Sequence, residues 1–116
     1  MHSEIFYLVK ALRAFAQARE WEQFHTPKNL ACALSVEASE LLEHFQWLTE
    51  AQSQSLTPNK TAEVAAEAAD VFLYLLQLCD KLGIDLMAAA QAKMLVNAEK
   101  YPVETARGTS VKYTEL

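Results

Sequence analysis

Residues 59–83 read NKTAEVAAEAADVFLYLLQLCDKLG, and this stretch decides the fold. Alanine, leucine, glutamate and lysine dominate it, and no proline or glycine interrupts it before Gly83. The sequence therefore predicts a helix over 59–82 that Gly83 ends. Its second half is apolar on every side: Val71, Phe72, Leu73, Leu75, Leu76 and Leu78 surround the axis. A small domain has no way to bury all of that surface alone, so a helix facing another subunit, and hence a homo-oligomer, is expected.

Working outward, a second helix is predicted over 27–48, with Thr26 placed to cap it. Pro27 suits its first position, where no N–H is required. An earlier helix over 3–20 carries Ile5, Leu8, Leu12 and Phe15 at spacings of three and four. A last one over 85–100 ends before Pro102. The stretch 49–59, with its polar run from Gln52 to Ser55 and then Thr57, Pro58 and Asn59, reads as a loop and a hinge or lid. The tail 103–116 lacks periodicity and reads as an extended arm. The expected fold class is all-α, four helices in one domain spanning 1–116.

Composition agrees with this and removes several functions. A chain of 116 residues supports one core, and two glycines with three prolines are too few for a strand-and-turn protein. Apolar residues make up 52% of the chain, yet no apolar run approaches the roughly 20 residues of a membrane span. A net charge of −5 without clustered lysine or arginine excludes a polymeric nucleic-acid partner. Cys32 and Cys79 lie inside helical patterns without CxxC spacing, and the opening MHSE does not resemble a signal peptide, so a reduced, cytoplasmic protein is expected. His2 and His44 read as surface residues.

Chemistry enters with four acids. Glu37 and Glu40 are three residues apart, about 60° around a helix, and so share one side. Glu67 and Asp70 repeat the spacing on the next helix, with Tyr74 one turn further. Both pairs are embedded in apolar sequence, and between Lys28 and Lys81 the only basic residue is Lys60. Buried carboxylates need a cation. An all-oxygen ligand set suits Mg²⁺, with Mn²⁺ as a substitute, rather than zinc, and such an ion also takes phosphate oxygens. The plainer reading, that these are solvated helix positions, applies easily to one E-x-x-E pair and less easily to two.

The pattern Glu37-x-x-Glu40, 26 residues, Glu67-x-x-Asp70 resembles the signature of the all-α MazG-type nucleotide pyrophosphohydrolases. The likeness is greatest to their small dCTP pyrophosphatase branch. It extends through Trp21 to His25, Asn29-Leu30, Phe45 to Trp47, Asp70-Val71 with Tyr74, Lys93-Met94, Asn97, Tyr101-Pro102 and Lys112 to Leu116. The resemblance implies a four-helix bundle assembled as a dimer of dimers, a homotetramer that binds Mg²⁺ through Glu37, Glu40, Glu67 and Asp70. It further implies hydrolysis of a deoxynucleoside triphosphate, dCTP or a related or modified nucleotide, to the monophosphate and pyrophosphate, with Glu37 or Glu40 activating water. It places Trp21, Phe24, His25 and Trp47 at the nucleoside and makes Tyr74, Lys93 and Asn97 substrate contacts. Read without it, Trp21 and Phe24 equally well staple a turn, Lys93 and Asn97 look like any solvated helix face, and Tyr74 packs in an interface. Three alternatives stay open: a non-catalytic helical module, and relatives acting on dUTP or on phosphoribosyl-ATP.

Overall fold

The computed structural model describes residues 3–116, so His2 lies outside the described residues. The chain is helical throughout, with no strand among the described residues. Helix α1 spans Ser3–Ala18, α2 Pro27–Glu43, α3 Glu50–Ser53, α4 Pro58–Lys81, α5 Leu86–Lys100 and α6 Val103–Ala106. Single 3₁₀ turns occupy Glu22–Phe24 and Tyr113–Glu115.

Capping sets most of the boundaries. Thr26 Oγ1 accepts from the Asn29 N–H, with Pro27 in the first turn, and Thr57 does the same for Lys60 ahead of Pro58. Helix α4 ends where Gly83 adopts φ 67° and the Ile84 N–H reaches back to the Cys79 carbonyl. Helix α1 ends in the same geometry, with a glutamate in the glycine position. Glu20 takes φ 54° while the Trp21 N–H bonds to the Ala16 carbonyl at 2.9 Å.

Three expectations are corrected. The segment 49–59 is not all loop: Thr49 and Gln52 form a reciprocal capping box that starts α3. The helix expected over 27–48 stops at Glu43, because the His44 and Phe45 N–H groups bond three residues back, to Leu41 and Leu42, and tighten the chain into turns. The tail is not simply extended; it forms α6 and a last 3₁₀ turn, with Tyr113 edge-on to Tyr101 at 6.1 Å.

The body of the molecule is the antiparallel pair α2 and α4, with α1 laid along α4. Leu30 on α2 and Leu76 and Cys79 on α4 are buried, together with Val9 and Ala16 of α1. A bidentate ion pair, Arg13 to Asp80 with Nε to Oδ2 at 2.8 Å, ties α1 to the end of α4. Helix α5 does not close a four-helix bundle within one chain. None of its residues is buried, and only Leu86 and Met87 in its first turn join Ile5 and Val9 around a cavity.

Candidate active site

The α2–α4 pairing brings the two acid pairs face to face. Carboxylate oxygens of Glu37, Glu67 and Asp70 lie within 4.8 Å of one another. Glu40, on the same side of α2 as Glu37, acts on both Glu37 and Glu67 and raises them. Glu37, Glu40 and Glu67 are half-buried and Asp70 is exposed, so the cluster opens to solvent on the Asp70 side. Proton sharing with Glu40, then desolvation and the neighbouring negative charges, push Glu37 up from 4.5 to about 7. Desolvation and the Glu40 charge also raise Glu67, with His44 opposing them.

These acids fit a divalent cation on a specific ground. Glu37 Oε2 and Glu67 Oε2 are buried with no hydrogen-bond partner, an arrangement that costs free energy unless something positive meets them. Lys60, the one lysine or arginine between Lys28 and Lys81, pairs with Glu63 at 3.5 Å. Glu37, Glu67 and Asp70 would hold the ion, with Glu40 against two of them, and oxygen ligands of this kind suit Mg²⁺ or Mn²⁺.

Beside the cluster, sharing Asp70 with it, a cleft of about 350 Å³ runs between α1 and α4. Trp21, His25, Tyr74 and Phe15 give it aromatic walls, and Leu8, Leu12 and Leu73 complete the apolar surface. Trp21 is set edge-on to Phe15 at 5.7 Å and to His25 at 6.2 Å. The left-handed turn at Glu20 swings Trp21 into this position, and Gln23 Nε2 donates to the Glu20 carbonyl across the turn at 2.9 Å. An apolar aromatic slot that ends at a carboxylate cluster can take a flat ring at one end and, through a cation, an anionic group at the other.

Residues 32–116 match the MazG-like family. The chain belongs to that family. It is 44% identical over 104 residues to dCTP pyrophosphatase 1 of Homo sapiens and 43% identical over 104 residues to that of Rattus norvegicus. Each match covers 88% of this chain and 61% of the relative, so the chain spans about three-fifths of the length of these curated relatives. A solved pyrophosphatase from Archaeoglobus fulgidus is 42% identical and superposes with a TM-score of 0.82, over 88% of this chain and 95% of its own.

Within this MazG-like chain the remaining predicted site residues are dispersed. Phe24 packs in the 3₁₀ turn and stays exposed outside the cleft. Trp47 lies past the other end of α2, 87% exposed. Lys93 is exposed and Asn97 half-buried on α5, neither lining the cleft. Sequence reasoning missed three neighbours. His44 is half-buried, not superficial, with Nδ1 3.9 Å from Glu63 and a charge felt by Glu67. Phe15 belongs to the cleft wall, not only to a packing stripe. Gln77 lines the cleft too, and its spacing of three from Tyr74 and seven from Asp70 was the available signal.

Proposed function

We propose that this chain is a divalent-metal-dependent nucleoside triphosphate pyrophosphohydrolase, using Mg²⁺ and acting on dCTP or a related or modified deoxynucleotide. The observation that carries the reading is the carboxylate cluster with two buried, unpartnered oxygens at the mouth of an aromatic cleft. The family, and relatives named dCTP pyrophosphatase, support it.

Glu37, Glu67 and Asp70, with Glu40 as a fourth carboxylate beside them, would hold the cation, which would supply neutralisation of phosphate charge and acidification of a water. Trp21 and His25 hold the base, and Tyr74 offers its hydroxyl to the sugar or a phosphate. Glu40 or Glu37 takes a proton from the attacking water as its oxygen bonds to the α-phosphorus. The bond between that phosphorus and the α–β bridging oxygen breaks, and pyrophosphate leaves. Lys93 and Asn97 contact substrate, and Phe24 and Trp47 reach the nucleoside, only where a second copy brings them to a cleft. The homotetramer, a dimer of dimers, is therefore part of the proposal. The exposed apolar residues Phe72, Met94, Leu95 and Val96 support it.

The test is pyrophosphate release from a panel of dNTPs, NTPs and base-modified analogues, with Mg²⁺ and with EDTA. Metal-dependent release favouring deoxynucleotides is expected; no release from any member would leave a binding role.

A further inference from the structure

Gln77 belongs neither to the acids nor to the aromatic wall, yet it lines two clefts. One is the nucleotide cleft; the other, of about 280 Å³, is more polar and holds Glu22 and Lys81. The side chain is half-buried, and its Nε2 donates to the Leu73 carbonyl at 3.3 Å. A carbonyl only accepts, so this bond fixes which end of the amide is which: the NH₂ turns to its own helix and Oε1 is left as a free acceptor. Gln77 stands seven residues beyond Asp70 on the same face of α4, about 10 Å along the axis. That is the reach of a nucleoside from its α-phosphate to the outer edge of its base. A substrate with its phosphates at the acids and its ring beside Trp21 brings that edge to Gln77.

We propose that Gln77 reads the base, its Oε1 accepting from the exocyclic amine of a 4-aminopyrimidine, so that the site selects a cytosine ring over a uracil ring. The inference rests on the nucleotide reading above. dCTP and dUTP match in size and charge and differ at this edge, where an amine beside a ring acceptor is replaced by an oxo group beside a ring N–H. Turning the amide over to suit uracil breaks its bond to Leu73 and sets two acceptors against each other. A polar site of this kind discriminates better than an apolar one.

The experiment is kcat/KM for dCTP, dUTP and the pyrimidin-2-one deoxynucleotide, which lacks the amine, in wild type and in Gln77→Met. The substitution keeps helix propensity and side-chain volume. The wild type is expected to favour dCTP. The variant should lose about tenfold on dCTP, the scale of one neutral hydrogen bond, and little on the other two. An equal loss on all three nucleotides would mean that Gln77 only shapes the cleft, and would overturn the inference. Equal wild-type rates on dCTP and dUTP would overturn it too, leaving the pyrophosphohydrolase reading intact. No turnover of any of the three would also overturn the inference, and the pyrophosphohydrolase reading would then stand or fall on the wider nucleotide panel.

Discussion

Glu40 raises both Glu37 and Glu67, so under the proposed metal-dependent reading removing its charge relieves the cluster while no cation is bound and weakens it when one is. Glu40→Gln or Asp70→Asn should therefore lower kcat at least 100-fold, while thermal unfolding in EDTA stays unchanged or moves upward. Either variant at near wild-type activity would remove that residue from the metal site. The same crowding gives a pH dependence of known sign. The folded-state value of Glu37 is raised from 4.5 to about 7, so its contribution to stability is complete below about 4.5 and is lost as pH rises through 7, and Glu67, also raised, acts in the same direction. Asp80 is held below its ordinary 3.8 by Arg13, and what it contributes is lost only at lower pH, clear of this window. Melting in EDTA should thus fall between about pH 5 and pH 8, and Mg²⁺ should raise it more at pH 8, where no proton competes for the carboxylates. A flat profile in EDTA would mean the acids do not share charge as described. At this scale the sequence revealed the four acids, because three-residue spacing in apolar surroundings is a local signal. It did not reveal His44 or Gln77, whose roles depend on what α4 and the cleft bring near them.

Elements are set by their ends. The turn after α1 places Trp21 in the cleft, and it does so with a non-glycine residue in the left-handed region. Glu20→Gly should stabilise the protein by about 0.5–1 kcal/mol, the relieved strain less the entropy glycine adds to the unfolded chain. Turnover should be unchanged, because the backbone that carries Trp21 keeps its path. Chemical denaturation would detect this, and a loss of stability would show that the Glu20 side chain contributes more than its backbone costs. The ends of α1 and α4 differ in legibility for the same reason. Gly83 announces a stop, whereas Glu20 does not. The capping box at Thr49 and Gln52 was present in the sequence but hidden in a polar run that reads as loop. The early end of α2 gave no such signal, since Phe45, Gln46 and Trp47 continue a helical pattern.

Taken whole, one chain is far from spherical. Its radius of gyration is 17.7 Å, against about 13 Å for a compact domain of this length, and it extends 50 × 36 × 26 Å. Five apolar residues are buried among the described residues, none of them on α5, where Leu95 is 72% exposed. Light scattering should therefore give a mass near four times 13.0 kDa. Leu95→Glu should lower that mass without disturbing the α2–α4 core. A wild-type monomer would leave the exposed face unexplained and the tetramer refuted. The sequence by itself determined that the chain is helical, where the acids stand around their own helices, and which family it resembles, because helical periodicity and residue spacing are properties of one segment. Only the tertiary structure decided that α2 runs antiparallel to α4 so that Glu37 and Glu40 meet Glu67 and Asp70, that the aromatic cleft lies between α1 and α4, and that α5 stands apart. Those follow from which apolar stripe finds which partner, a choice made by packing between segments distant in the chain, and periodicity carries no record of it.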